Sequence, residues 1–391
     1  MFTTRHTLAL AGACAASLCL ATAAHAQKAP PLKVGFMLPY TGTYASLGQM
    51  IESGFKLYVQ EQGGKLGGRE LQYFKVDDES EPSKATDNVN KLIKRDQVDV
   101  LVGSVHSGVA LAMARAAKES NTLLIVPNAG ADAITGPLCS PSIVRSSFSN
   151  WQPGYATGVI AAGKGHKRAM TITWNYAAGA ETVKGFTEAF EKGGGKVLKD
   201  LTVPFPNVEF QALLTEIAAQ KPDVVFAFFA GAGAVKFVKD YAGAGLNKTV
   251  PLVASGFLTD GTLEAQGDSA QGVLTGLHYA DNLNTPRNNA FRKSFALTYK
   301  ANADVYAVQG YDAAQILGAG LTAVKGDFTQ REALTTAMRK TTVDSPRGRF
   351  TLSAAGNPVQ DMYVREAKGV YNESRGVAIK ALADPARGCK L

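Results

Sequence analysis

Residues 98–132 read VDVLVGSVHSGVALAMARAAKESNTLLIVPNAGAD, and this stretch decides the fold. An apolar run from Val98 to Gly103 leads into a helical pattern from Gly108 to Ser120. A second apolar run, Thr122 to Val126, follows. Strand, helix and strand at this spacing predict two parallel neighbours joined by a right-handed crossover. Sheets built this way bind ligands beyond the carboxyl ends of their strands. The segments at those ends, Gly103-Ser104-Val105-His106-Ser107-Gly108 and Pro127-Asn128-Ala129-Gly130-Ala131-Asp132, are therefore the first place to look for chemistry.

The same rhythm extends in both directions. Upstream lie an apolar run at Lys33–Leu38, a helical pattern at Gly48–Gln62, a strand at Glu70–Val76 and a helix at Pro82–Lys94. Pro82 is well placed in that helix's first turn. Downstream the alternation resumes with Ala169–Trp174, Gly179–Lys192, Gly195–Val203, Phe210–Gln220, Val224–Ala230 and Ala234–Ala244. Two such series predict an α/β protein of two doubly wound lobes. Ser146 to Trp151 is polar and irregular, as is Asp281 to Pro286, and both suit crossings between lobes. A helical stretch at Asp304–Val324 and a β-rich piece at Arg349–Tyr371 come after the second series, so each lobe is expected to be discontinuous. The expected division is 27–148 with 281–347 for the first lobe, and 149–280 with 348–391 for the second lobe and C-terminal tail.

Composition agrees with a globular protein: of 391 residues, 46% are hydrophobic and 19% charged, enough for more than one core. The formal charge of +8 comes without a dense Lys/Arg block, so no nucleic-acid partner is expected. Arg5 and His6 precede an uncharged run from Leu8 to Ala24, and Ala24-His25-Ala26 is a small-x-small cleavage site. Residues 1–26 are expected to be a secretory signal peptide rather than a membrane span. Cys14 and Cys19 would leave with it. Cys139 and Cys389 remain, an even count in an oxidising compartment, and a disulfide is expected over the alternative of two free thiols.

Catalytic and cofactor signatures are missing. Gly231-x-Gly233 follows a strand, but the third glycine position is Lys236, which leaves a tight strand-to-helix turn. Asp77-Asp78-Glu79 reads as a solvated turn before Pro82 rather than a metal cluster, and the histidines are scattered. Nothing assembles a nucleophile, a base and an orienting group. No enzyme activity, cofactor or metal is expected. The strand-end loops instead suit an anion: backbone amides, a helix N-terminus and the Ser107 hydroxyl. Asn128 is either a ligand group or a turn former, and His106 either a ligand donor or a helix cap.

Taken in order, Val34-Gly35-Phe36, Tyr40-Thr41-Gly42, Gly48, Gly63-Gly64, Gly67-Gly68-Arg69, Asp77-Asp78, Gly103 to Ser107 and Gly310-Tyr311-Asp312-Ala313-Ala314 resemble the periplasmic solute-binding proteins of the branched-chain amino acid type. The resemblance covers nearly all of the chain after residue 26. It implies a type I periplasmic binding protein, whose two lobes, joined by a three-stranded hinge, close over a small solute for an ABC importer. It also implies that Ser107 holds the ligand carboxylate and that Tyr176, in Asn175-Tyr176-Ala177, packs on the solute. The cysteine that precedes the serine in the family is His106 here, and its disulfide companion is Ser80.

Two departures bear on the ligand. The family's threonine that helps hold an ammonium falls on Gly130, and its countercharge glutamate falls on Gly256 of Ser255-Gly256-Phe257. An ammonium buried without a carboxylate would cost several kcal/mol in order of magnitude. Trp174, Phe228, Phe229 and Phe257 add aromatic content at or near strand ends, and flat apolar walls suit a planar ring. The chain thus looks like the aromatic-acid-binding branch. Ser107, Tyr176, His106, Asn128, Ala129, Gly130, Trp174 and Phe257 are the expected contacts. The expected ligand is a small aromatic carboxylate such as a hydroxybenzoate, with a branched-chain or other aliphatic amino acid as the alternative. A membrane ABC permease is the expected partner of a monomeric, periplasmic protein.

Overall fold

The computed structural model describes residues 30–391; the leader expected at 1–26, with Cys14 and Cys19, lies outside them. The first sheet takes its strands from one end of the chain: β1 (Leu32–Leu38), β2 (Lys65–Leu66), β3 (Arg69–Asp77), β4 (Val100–Gly103), β5 (Leu123–Val126) and β6 (Ile143–Arg145). Their order is β2-β3-β1-β4-β5-β6, parallel throughout except for the short β2–β3 hairpin. The helices α1 (Ala45–Glu61), α2 (Pro82–Asn90) and α3 (Ser107–Ser120) make the crossovers. β4 and β5 are buried along their whole length, so they read as unbroken apolar runs rather than alternating ones.

The second lobe opens with α4 (Trp151–Gly163), then alternates β7 (Arg168–Trp174), α5 (Ala177–Lys192), β8 (Lys196–Val203), α6 (Gln211–Gln220), β9 (Val224–Phe228), α7 (Gly231–Gly243), β10 (Leu252–Ser255), the short α8 (Leu263–Gln266) and β11 (Leu274–Leu277). The chain then returns through α9 (Pro286–Tyr299), α10 (Val305–Ala323) and α11 (Arg331–Lys340). It finishes with β12 (Thr342–Val343), β13 (Phe350–Leu352), β14 (Pro358–Lys368) and β15 (Tyr371–Leu382). Sheet order is β12-β13-β14-β11-β10-β9-β7-β8, with β15 on β14; β14 pairs antiparallel to β11. Sequence periodicity missed α4. It is buried on nearly every side against α5, β10 and β11, so it carries no polar face to reveal a helical period.

The return helices belong with the first sheet. α1 and α10 touch backbone to backbone: a Cβ on Gly54 or Gly310 would fall 1.9 Å from the carbonyl oxygen of Ala307 or Ile51. The chain passes between the two sheets at 146–150, at 278–285 and between Lys340 and Pro358. Buried polar groups sew these passages together. Arg347 Nη1 donates to the Ser147 carbonyl at 3.2 Å and Arg347 Nε lies 3.2 Å from Asp312 Oδ2 on α10. Gln360 Nε2 donates to the same Ser147 carbonyl at 2.6 Å, and Ser146 Oγ donates to the Gln309 carbonyl at 3.0 Å. This is the hinge. Cys139 and Cys389 form the expected disulfide, Cα atoms 5.6 Å apart, closing a loop of 250 residues and tying the tail to the first lobe. Cross-links over long loops typically stabilise by about 2–5 kcal/mol.

Candidate functional site

The β4–α3 joint is built before any ligand is considered. His106 is the N-cap of α3, and its Nδ1 accepts the Gly108 N–H at 3.1 Å. That bond puts the ring proton on Nε2, and burial holds the imidazole neutral, with its pKa pushed down to about 4. Below it, Ser104 Oγ donates to Asp78 Oδ2, and Asp78 Oδ1 accepts the Ser80 N–H at 2.8 Å. Burial pushes the Asp78 carboxyl up to about 6. Asp77 accepts from Tyr40 N and Thr41 Oγ1 at 2.9 and 2.7 Å. The acidic turn is therefore an internal staple, with Asp78 fully buried, where sequence alone read a solvated one.

Ser107 begins α3, where unpaired amides and the helix dipole favour an anion. Asn150, at the end of the first passage between sheets, donates from Nδ2 to Ser107 Oγ at 3.3 Å. The bond uses the serine oxygen as acceptor and leaves its hydroxyl proton to point elsewhere. Asn150 Nδ2 also donates to Glu181 Oε2 at 2.8 Å, which accepts the Asp132 N–H at 3.0 Å from the opposite lobe. Asn128 Nδ2 donates to Gln309 Oε1 at 2.7 Å, and Gln309 Nε2 lies 3.3 Å from His278 Nε2, so the β5 loop is tied to the hinge.

These groups open onto a narrow, nearly filled cavity between the lobes. Ser107, Asn128, Gly130 and Asn150 form its polar wall; Tyr176, Phe228 and Phe257 form the facing wall, with Tyr44, Phe148 and Tyr306 at the sides. Phe257 packs on Phe148 with ring centroids 4.7 Å apart, and His106 stacks on Tyr176 at 4.5 Å. The lobes are closed on it: the Tyr44 and Tyr176 hydroxyls lie 2.9 Å apart across the cleft. At α7, Gly231 adopts φ +55°, and a Cβ there would come 2.3 Å from the Thr43 carbonyl oxygen of the other lobe. That contact, with Gly233 lying under the Trp174 ring, accounts for the Gly231-x-Gly233 turn. A wider and more open cavity beside this one is lined by Asp260, Asp281, Arg292 and Asp304 and shares none of these residues.

The expected contacts separate into two groups. Ser107, Asn128, Gly130, Tyr176 and Phe257 line the one cavity. His106, Ala129 and Trp174 stand behind it. His106 caps α3 and backs the Tyr176 ring, and Ala129 is fully buried, its N–H donating to the Ser104 carbonyl at 2.9 Å. Trp174 donates from Nε1 to the Asn207 carbonyl at 2.9 Å and lies edge-on to Tyr44, Phe205 and Phe229. Asn150, Phe148, Tyr44 and Tyr306 line the cavity without having been singled out. The first two lie in the polar passage 146–151, and Tyr306 lies four residues before Gly310-Tyr311-Asp312, close to signals that were read for other reasons.

The cavity lining contains no Asp, Glu, Lys, Arg or His. Its two glycine departures are also sterically closed. A Cβ on Gly130 would sit 2.2 Å from Asn150 Oδ1 and 2.6 Å from the Phe148 ring. One on Gly256 would sit 2.5 Å from Leu277 Cβ and 2.6 Å from Arg365 Nη2. Arg365 is buried there, donating to the Gly256 carbonyl at 2.9 Å and paired with Asp260 Oδ2 at 2.7 Å. Among the described residues, no group of three His, Cys, Asp or Glu side chains is gathered as a metal would need. What remains is a small cavity whose lining combines aromatic rings with neutral hydrogen-bonding side chains.

Comparison with known proteins agrees with this architecture. A solute-binding protein of an ABC transporter from R. palustris, solved in complex with benzoate, is 54% identical, with a TM-score of 0.90 over 92% of this chain and 100% of that one. A second, from Rhodopseudomonas palustris BisB5 in complex with 3,4-dihydroxybenzoic acid, is 31% identical, with a TM-score of 0.86 over 91% and 99%. The Leu/Ile/Val-binding protein homolog 6 of Brucella melitensis is 28% identical over 374 residues, 93% of this chain and 95% of its own. Residues 31–374 match the periplasmic binding protein family, and with two lobes closed over an interlobe cavity, the chain belongs to that family.

Proposed function

We propose that this protein captures a small aromatic carboxylate of the benzoate class between its lobes and delivers it to the membrane permease of an ABC importer. One observation carries the reading: the cavity opposes an aromatic wall to neutral donors and has no acidic side chain in its lining. A carboxylate is accommodated by Ser107 at the N-terminus of α3, where hydroxyl and helix dipole act together. A ring is accommodated by Tyr176, Phe228 and Phe257. The benzoate and dihydroxybenzoate complexes of the two structural relatives support the same class.

The names of the curated relatives favour a second reading, an aliphatic amino acid. Such a ligand brings an ammonium, and the positions that would receive it are glycines without room for a side chain. The reading also takes residues 1–26 as a signal peptide and the protein as a periplasmic, monomeric, non-enzymatic carrier. It divides the chain at the hinge into 27–148 with 281–347 and 149–280 with 348–391. No described helix is long and apolar enough to cross a membrane.

A thermal-shift panel of benzoates, cinnamates and common amino acids tests the class, since a ligand of the native state raises Tm by mass action. A benzoate is expected to give the largest shift and to be recovered unchanged by mass spectrometry after prolonged incubation. A larger shift with leucine or valine sinks the ligand class, and turnover of the bound acid sinks the carrier role.

A further inference from the structure

Resting on the aromatic-carboxylate reading, we propose that the Tyr306 hydroxyl is a ligand contact that bonds a hydroxyl on the ring, so that the site prefers a hydroxybenzoate to benzoate itself. Tyr306 lies in the first turn of α10, is 1% exposed and lines the cavity, and its hydroxyl has no hydrogen-bond partner among the described residues. Buried hydroxyls without partners are rare, because they lose water and gain nothing in return. The other cavity groups are provided for: Tyr44 with Tyr176, Ser107 with Asn150, and Asn128 with Gln309. Tyr306 alone is left waiting.

The surroundings say which part of the ligand it meets. The buried carboxyls of Asp260 and Asp304 act on the Tyr306 hydroxyl, opposed by Arg365, which is already paired with Asp260. A carboxylate brought to this place would find the N-terminus of α10 already capped by Asp304 and the neighbouring cation, Arg365, already committed to Asp260. At Ser107 it would face the N-terminus of α3, and the nearest carboxyl, Glu181, is already engaged by Asn150 and the Asp132 N–H. The charge therefore goes to Ser107, and Tyr306 is left a neutral partner. A phenolic hydroxyl is both donor and acceptor and satisfies Tyr306 without adding charge.

Calorimetric titration of wild type and Tyr306→Phe with benzoate, 3-hydroxybenzoate and 4-hydroxybenzoate tests this. Wild type is expected to bind one hydroxybenzoate about tenfold more tightly than benzoate, and Tyr306→Phe to lose that advantage. The matching methylbenzoate, which has the shape but not the hydroxyl, makes the same comparison on unaltered protein and is expected to bind no better than benzoate. Equal losses for all three acids in the variant, or no preference for either hydroxybenzoate in wild type, would overturn the proposal alone. A wild type that binds none of the three overturns the aromatic reading, and this proposal with it.

Discussion

The two walls of the cavity are made by different means. The polar wall comes from strand-end loops and the first passage between sheets: Ser107, Asn128, Gly130 and Asn150. Each of its side chains is held by a bond behind it, to Gln309, Glu181 or a neighbour within the wall. The facing wall is aromatic: Tyr176 packs against His106, Phe205 and Phe228, and Phe257 against Phe148. On the aromatic-carboxylate reading, the polar wall takes the charge through fixed dipoles and the aromatic wall takes the ring through shape, so that charge is read without a cation by donors positioned in advance.

Four changes probe that division, from the largest effect to the smallest. Gly130→Thr places on the polar wall the threonine that the family resemblance implies for an amino-acid binder, but into space held by Asn150 Oδ1 and Phe148. It is expected to weaken benzoate binding about 100-fold or more, through overpacking, without creating leucine binding; calorimetry that finds tight leucine binding breaks the comparison. Ser107→Ala removes one charge-assisted hydrogen bond, a loss of roughly 1–3 kcal/mol, the same for benzoate and hydroxybenzoate. Unchanged affinity would leave Ser107 as no more than the first residue of α3. Phe257→Leu keeps apolar volume but loses the flat face, for a cost of about 1 kcal/mol seen mainly as faster release. Stopped-flow displacement with unaltered release would remove Phe257 from the aromatic wall.

The smallest effect concerns closure itself. Asp132 on the first lobe is pushed up to about 7 by burial first, then by the charges of Glu181 across the cleft and Asp384 of the tail, with buried Arg145 opposing. Glu181 is raised as well, again by burial. A carboxyl whose pKa rises on closure holds its proton more tightly in the closed state. Closure is therefore favoured at low pH, and the benefit is lost as pH rises from the ordinary carboxyl value of about 4 through 7. Affinity is expected to fall a few-fold, about 0.5–1 kcal/mol, between pH 5.5 and 8. In Asp132→Asn the fall should flatten, and an identical slope in the variant would assign it to other groups.

The polar wall was largely legible in the sequence, the aromatic wall only in part. Ser107, Asn128 and Gly130 sit in loops whose composition and place after a strand announce them. Trp174 was an equally good guess from the same rule, yet it ends β7 fully buried, with Gly233 packed under its ring. Which side a strand-end residue faces depends on the elements that cover it, and no local pattern records that. Tyr306 and Asn150 were hidden for another reason: they reach the cavity from α10 and from a passage between sheets, brought there by the return of the chain. Arg347, which joins that passage to Asp312, is likewise defined only by contacts distant in sequence.

The central claim is that this cavity takes an aromatic acid and has no place for an ammonium. Titrating one preparation with benzoate, 4-hydroxybenzoate and L-leucine by calorimetry tests it most directly. At least one benzoate is expected to bind about 100-fold or more tightly than leucine, reflecting the cost of an ammonium with no countercharge. Leucine binding as tightly as either benzoate would contradict it.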